Sequence, residues 1–375
     1  MRILVLNHEY PPIGGGGGQA ARLLARELAL RGHEIIVITA HIDNLAREEV
    51  LDGCRIVRIP SLRKDPYRAG FLTMAAYVLA AIQTGLNLIH TWRPDLIHAH
   101  FAVPAGATAW SLSRLTGVPY LLTSHLGDIP GGVPEKTDRW FRWIMPFTKP
   151  IWQYAARVSA VSEYTSSLIQ QNYPITPIVI PNGIQIKAVD SARLQAHRPP
   201  VIIFAGRFVP QKNLGVLVET LSMVRDLPWK CTLIGDGPLF NEIDRMITAN
   251  GIADRFSLPG WIEPDEVLGH MAHSDLLFMP SLSEGLSVAG LQGLANGLAI
   301  LASNAEGNRD LVAPGQNGYL VDPNDPGALS SALRNLIANP ENLSAARRAS
   351  LALAERFDIR RVTDRYESIF EEIVS

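Results

Sequence analysis

Short apolar runs alternate along this chain with longer stretches in which apolar residues recur at helical spacing. Arg2 to Asn7, Glu34 to Thr39 and Arg55 to Ile59 read as strands, and Gln19 to Arg31 as the helix joining the first two, which makes a βαβ opening. Asp95 to His100, Pro119 to Ser124, Val158 to Ser162 and Pro177 to Ile180 continue the series, giving about seven strands before a turn at Pro181-Asn182-Gly183. Ala69 to Ile89 carries no charged side chain, and about 20 apolar residues suffice to cross a bilayer. Thr73, Gln83, Thr84, Gly85 and Asn87 interrupt it and α/β units flank it, so the expectation is a helix covered on most sides by the sheet and its neighbours.

After a polar passage ending at Pro199-Pro200 the same grammar restarts. Val201 to Arg207, Lys230 to Gly235, Arg255 to Leu258, Asp275 to Pro280, Leu298 to Ser303 and Gly318 to Val321 read as strands, with a helix from Gln211 to Arg225 and another beginning at Leu286. The fold expected is α/β, two Rossmann-like doubly wound domains facing a central cleft. Their predicted bounds are 1–182 and 183–357, followed by a terminal helix over 358–375. That helix places Ile359, Val362, Tyr366, Ile369, Phe370 and Ile373 on one face, which needs a partner surface and is expected to pack back on the first domain.

The 375 residues and 47% hydrophobic content allow full-sized cores. With 34 basic against 36 acidic residues there is no global field to draw nucleic acid, so none is expected as a partner and any basic site must be local. Cys54 and Cys231 are isolated and belong to no Cys-x-x-Cys or Cys/His cluster, which argues against a disulfide scaffold and structural zinc and for a cytoplasmic location. The run Met1 to Asn7 is too short for a signal peptide and goes directly into the first strand.

The candidate chemistry collects at predicted strand ends, where open α/β sheets bind ligands. Gly14 to Gly18 lie between the first strand and first helix, as a loop whose backbone can approach a ligand closely. They form neither the Gly-x-Gly-x-x-Gly fingerprint of a dinucleotide site nor a Walker A loop. His98 or His100 ends one strand and His125 follows another. Without cysteine or carboxylate at ligand spacing, no metal and no cofactor is expected, and His125 is read as a hydrogen-bonding partner for a polar ligand. Arg207 and Lys212, after the first strand of the second domain, make a phosphate or diphosphate site. From Ser281 to Gly297, Glu284 and Gly285 fall in the loop after a buried strand, beside a helix start. Together these suggest a nucleoside diphosphate linked to a polyhydroxylated group, with Glu284 accepting hydroxyl hydrogen bonds.

The glycine loop, Thr123-Ser124-His125, Ala205-Gly206-Arg207 with Lys212, Gly235-Asp-Gly-Pro238 and Pro280-Ser-Leu-Ser-Glu284-Gly-Leu-Ser resemble the retaining glycosyltransferases of the GT-B fold, family four, over essentially the whole chain. The resemblance implies metal-free transfer of a sugar from a nucleotide sugar, UDP- or GDP-linked, to a hydroxyl acceptor with retention of configuration. It implies an acceptor-binding first domain and a donor-binding second one. Arg207 and Lys212 resemble the diphosphate pair, Glu284 the acid on donor hydroxyls, Gly16 and Gly17 the loop facing donor phosphate and acceptor, and His125 a side chain near the reacting sugar. Gly206, Gly235, Ile262, Gly285, Leu286, Ser287, Val288 and Gln292 complete the implied donor site. Gln292 stands where the family usually has a second Glu, on the ribose hydroxyls. The amide keeps a hydrogen bond without its charge assistance, a loss of about 1 kcal/mol, about fivefold in affinity.

Arg139 to Tyr154 mixes aromatic and basic residues, which suits a packed helix pair or the membrane interface. The second reading leads to a sugar or lipid-linked acceptor in cell-envelope polysaccharide or glycolipid synthesis, with peripheral contact through the first domain at the inner face of the membrane. The competing functions are a non-hydrolysing nucleotide-sugar 2-epimerase and a catalytically weakened binding protein on the same fold.

Overall fold

The computed structural model describes residues 1–65, 69–133 and 141–375. The chain divides into two units, one made of Met1–Gly183 with Ile359–Ser375 and the other of Ile184–Asp358. Each boundary falls one residue later than the sequence pattern places it. Gly183 lies against Ile359, where an added Cβ would come within 2.4 Å of the Ile359 side chain. Ile184 forms a parallel bridge with Asp358.

The first unit is an eight-stranded sheet of β1 (Arg2–Leu6), β2 (Glu34–Ala40), β3 (Glu48–Leu51), β4 (Cys54–Ile59), β5 (Leu96–His100), β6 (Tyr120–Ser124), β7 (Arg157–Ala160) and β8 (Ile178–Val179). The order is β3-β4-β2-β1-β5-β6-β7-β8. Every pairing is parallel except β3 with β4. The pattern missed β3 because its residues, Glu-Glu-Val-Leu, pair at the edge and stay largely in solvent. Edge strands carry charge for that reason.

One face of this sheet is covered by α2 (Phe71–Trp92), α3 (Ala107–Thr116), α4 (Phe141–Gln153) and α5 (Glu163–Asn172), around a core that includes Leu4, Ile38, Ile97, Leu122 and Trp152. The other face is covered by α1 (Gly16–Leu30) and α12 (Ile359–Val374). On α12, Ile359, Val362, Tyr366, Ile369 and Phe370 are buried against Ile3, Val5, Leu24 and Leu28. Arg31 clamps the helix from outside through Asp364 and Glu367, and His33 bonds Glu367 at 2.8 Å.

Two expectations for this unit are corrected. Gly16, Gly17 and Gly18 are not loop but the first turn of α1. Helix α2 is not covered on most sides. It buries only Tyr77, Ala81, Gly85 and Leu88, while Phe71, Leu72 and Leu79 are exposed. A segment apolar all round carries no sequence signal for which face goes inward. In the aromatic-basic stretch, Trp152 is buried and stacked on Tyr173 with ring centroids 4.7 Å apart, whereas Phe147 is exposed. Arg139 and Trp140 lie outside the described residues.

The second unit is a six-stranded, wholly parallel sheet in the order β11-β10-β9-β12-β13-β14. Its strands are β9 (Val201–Ala205), β10 (Lys230–Ile234), β11 (Phe256–Gly260), β12 (Leu276–Met279), β13 (Ala299–Ser303) and β14 (Gly318–Val321). Around it run α6 (Leu214–Met223), α7 (Phe240–Ala249), α8 (Pro264–Ala272), α9 (Val288–Ala295), α10 (Pro326–Ile337) and α11 (Pro340–Ala354). Asp325 and Asn339 cap α10 and α11, and a proline follows each at the first helical position. Buried Asp275, at the start of β12, accepts from Arg347 at 2.6 Å and from the Val201 N–H at 2.8 Å, so a fully buried carboxylate has its partners. Helix α6 starts at Leu214, after a 3-10 turn over Pro210–Lys212, and α9 starts at Val288, both later than the apolar spacing suggests.

Candidate active site

In each unit the sequence-predicted residues gather at the carboxyl edge of the sheet. In the first, the chain leaving β1 turns through Gly14 into α1, and Gly17 comes against the ends of β5 and β6. A Cβ on Gly17 would lie 2.5 Å from Phe101 Cζ and 3.4 Å from His125 Cγ. On Gly18 it would overlap the Glu9 carbonyl oxygen. These two glycines are required by close approach rather than by flexibility. Gly17 and the His125 ring are therefore neighbours within this unit.

His125 sits in a cluster of aromatic rings. Its Nε2 is 3.0 Å from His100 Nδ1, the two rings stack with centroids 5.3 Å apart, and Phe101 tilts against it at 4.7 Å. His98 is buried and bonded to Thr123 Oγ1 at 2.8 Å. Burial pushes the His125 imidazole down to about 4, against a smaller opposing pull from Glu9, and pushes His98 down to about 3. His100 falls well below the ordinary value for the same reason. All three are neutral at pH 7. His125 Nδ1 is sealed from solvent and has no hydrogen-bond partner among the described residues.

Asp128 and Phe101 belong to this site and the sequence reading missed both. Asp128 is buried; its Oδ2 accepts from the Ala102 N–H at 2.6 Å, and its Oδ1 from Ser124 Oγ at 2.8 Å and the His125 N–H at 3.3 Å. It thereby ties the turn after β5 to the turn after β6. Burial raises its carboxyl above the usual range, with those hydrogen bonds acting the other way. Phe101 takes φ +72, uncommon for a residue with a side chain, and this places its ring against Gly17 and His125. A carboxylate three residues beyond a strand-end histidine was a signal available in the sequence; the turn at Phe101 left none.

In the second unit, Gly206 and Arg207 follow β9, Gly235 follows β10, Ile262 lies just past β11, and Glu284 with Gly285 lies in the loop after β12. Gly235, at φ +136, packs so closely on the Gly206 carbonyl that a Cβ would be 1.9 Å from its oxygen. Lys212 and Glu284, assigned separate roles from the sequence, form one ion pair, Nζ to Oε1 2.5 Å, with both side chains mostly shielded. The loop carrying Glu284 is pinned from both sides. Gln211 Nε2 donates to the Ser283 carbonyl at 2.9 Å, the Leu282 N–H donates to Gln211 O at 2.8 Å, and Gly307 lies directly against the Glu284 carbonyl. Arg207 forms no ion pair among the described residues.

Helix α9 begins with Ser287 as its cap, Oγ accepting from the Gly290 N–H at 3.2 Å. Leu286 is buried, Val288 opens the helix, and Gln292 lies one turn further on, half-buried. The Ser287 hydroxyl thus satisfies one of the first free N–H groups of the helix. The edge as a whole offers a guanidinium, an ammonium–carboxylate pair and a capped helix start. Such groups bind a multiply charged anion and sugar hydroxyls side by side.

The sequence model for glycosyl transferases group 1 matches residues 187–351, and that for glycosyltransferase family 4 matches residues 14–188. The chain is 26% identical over 377 residues to an uncharacterized glycosyltransferase of Methanocaldococcus jannaschii, covering 100% of this chain and 99% of the relative. It is 29% identical to the 2-deoxystreptamine N-acetyl-D-glucosaminyltransferase of Streptomyces fradiae, over 89% of this chain and 85% of that protein. Among solved structures, sucrose-phosphate synthase from Thermosynechococcus elongatus superposes with a TM-score of 0.86 at 20% identity, covering 99% of this chain and 98% of that one. Anabaena HepE, solved in complex with UDP-glucose, superposes with a TM-score of 0.78 at 19% identity over 99% and 100% of the two chains. The chain belongs to the group 1, family 4 glycosyltransferases of the GT-B fold, enzymes that draw on a nucleotide sugar.

Proposed function

We propose that this protein transfers a hexosyl group from a UDP- or GDP-sugar to a hydroxyl of a sugar or lipid-linked acceptor, with retention of anomeric configuration, in building cell-envelope polysaccharide or glycolipid. The observation that carries this reading is the second unit's edge, where Arg207 stands without an acidic partner among the described residues and Lys212 is held 2.5 Å from Glu284. A donor diphosphate gives both cations a partner, and the donor sugar gives Glu284 hydroxyls in place of the ammonium. Breaking the bond from the anomeric carbon to the diphosphate oxygen leaves charge on that diphosphate, which Arg207 and Lys212 stabilise. The same diphosphate takes the acceptor proton as the acceptor oxygen bonds to the anomeric carbon from the face the leaving group vacates. No protein base is required in this scheme.

The first unit supports it from the acceptor side. A histidine lowered to about 4 is a neutral hydrogen-bonding group at pH 7, and His125 keeps a buried Nδ1 for a ligand. Gly17 brings the backbone of the first turn of α1 close to it. Arg207→Ala and Lys212→Ala should each lower kcat/KM by about a hundredfold or more, with unchanged circular dichroism and thermal midpoint. The measurement is release of nucleoside diphosphate across a panel of nucleotide sugars and acceptors. Near-normal turnover in both variants would remove diphosphate stabilisation from the mechanism, and an α-configured donor yielding a β-linked product would remove retention.

A further inference from the structure

We propose that the outward face of α2, α3 and α4 docks on an anionic lipid bilayer, lying on its surface rather than crossing it. This deepens the reading of a membrane-side acceptor, though the surface itself is argued without it. Phe71, Leu72, Leu79 and Leu86 on α2, Leu115 on α3, Phe147 on α4 and Tyr154 just after it are all exposed. Phe71, Leu72 and Leu79 are 65%, 74% and 72% accessible, and Phe147 79%, which is far more apolar side chain than a water-facing helix layer needs.

Charge selects the partner. Across the three helices the sequence holds Arg114, Arg142 and Lys149 and not one Asp or Glu, in a protein where acids outnumber bases by 36 to 34 overall. Arg114 and Lys149 are exposed, and the Arg114 guanidinium lies 5.3 Å from the Tyr154 ring centroid. Cations beside exposed aromatic and aliphatic side chains match a surface that is apolar beneath and negative above, which is an anionic bilayer.

Helix α2 has the length and composition to cross a membrane, yet its inner face holds it to the sheet. Tyr77 Oη donates to the Ile38 carbonyl at 3.0 Å, and Gly85 lies so close to Leu112 of α3 that a Cβ would be 2.5 Å from Cδ1. Pulling α2 across a bilayer would strip one face of the first unit's core. The helix therefore stays attached and presents its other side.

The test is cosedimentation of the full chain with vesicles of equal parts phosphatidylcholine and phosphatidylglycerol, and with phosphatidylcholine alone. The protein should sediment with the anionic vesicles and be released as salt rises through the screening range. Arg114→Gln with Lys149→Gln should weaken that association about thirtyfold. Leu79→Ser with Phe147→Ser should weaken it about a hundredfold. In both double variants circular dichroism and the thermal midpoint should be unchanged, which shows that the first unit stays folded, and nucleotide binding by calorimetry should also be unchanged, because none of the four residues belongs to the proposed transfer chemistry. Arg207→Ala should bind vesicles normally, so failure of the transfer scheme and failure of docking are read separately. Absence of the wild-type protein from the anionic vesicle pellet would overturn the proposal, as would wild-type association by both double variants. A dimer in sedimentation velocity that Leu79→Ser with Phe147→Ser dissociates would also overturn it, by making a second copy the occupant.

Discussion

Glu284 and Lys212 hold one another at the place where each would meet a donor, so binding exchanges one charge pair for several contacts. The exchange is inexpensive because both side chains are already shielded and positioned by the 3-10 turn and the pinned loop. In the proposed donor site, Gln292 is the position where the resemblance implies a second Glu. Gln292→Glu should restore a charge-assisted bond to the ribose and tighten nucleoside diphosphate binding about fivefold by calorimetry. Unchanged or weaker binding would remove the ribose from the account of this position. What the sequence made legible at this scale is residue type at strand ends: Gly17, His125, Arg207, Lys212 and Glu284 all lie on the expected edge of their sheets. What it hid is contact that depends on backbone turns. Phe101 at φ +72 and the tie from Asp128 to Ala102 and His125 arise where chain direction changes, and no periodicity reports that.

At the scale of elements, apolar spacing located the buried strands well because a parallel strand is apolar on both faces and bounded by turns. It placed helix starts less well. Gly16 to Gly18 read as loop by propensity but are helical, since Gly18 must pass against the Glu9 carbonyl and Gly17 against Phe101. Helix α12 was the clearest case, with one apolar face and one partner surface. Phe370 sits at 0% accessibility among Tyr366, His98 and the first strands, so Phe370→Ala should cost about 3–5 kcal/mol of stability, measured by urea unfolding. A loss below about 1 kcal/mol would mean that the helix is not integral to the unit.

For the molecule as a whole, the buried histidines set an acid limit. His98 titrates near 3 when folded against an ordinary 6.5, so between those values the unfolded chain binds more protons and stability falls as pH falls. The contribution is intact above about pH 6.5, and at about pH 5 the loss from His98 alone is about 2 kcal/mol. His100 acts in the same direction. Urea midpoints that are equal at about pH 7.5 and about pH 5 would show that these rings are not held neutral by burial. The first unit is also assembled from two stretches, Met1–Gly183 and Ile359–Ser375, separated by all of the second. On a ribosome, the second unit is complete while the first still lacks its closing helix, so the unit begun first is finished last. Until α12 arrives, Leu24, Leu28 and the adjoining strand residues remain an open apolar groove. Nascent chains stalled or cleaved before residue 359 should therefore be the aggregation-prone species and the ones chaperones retain.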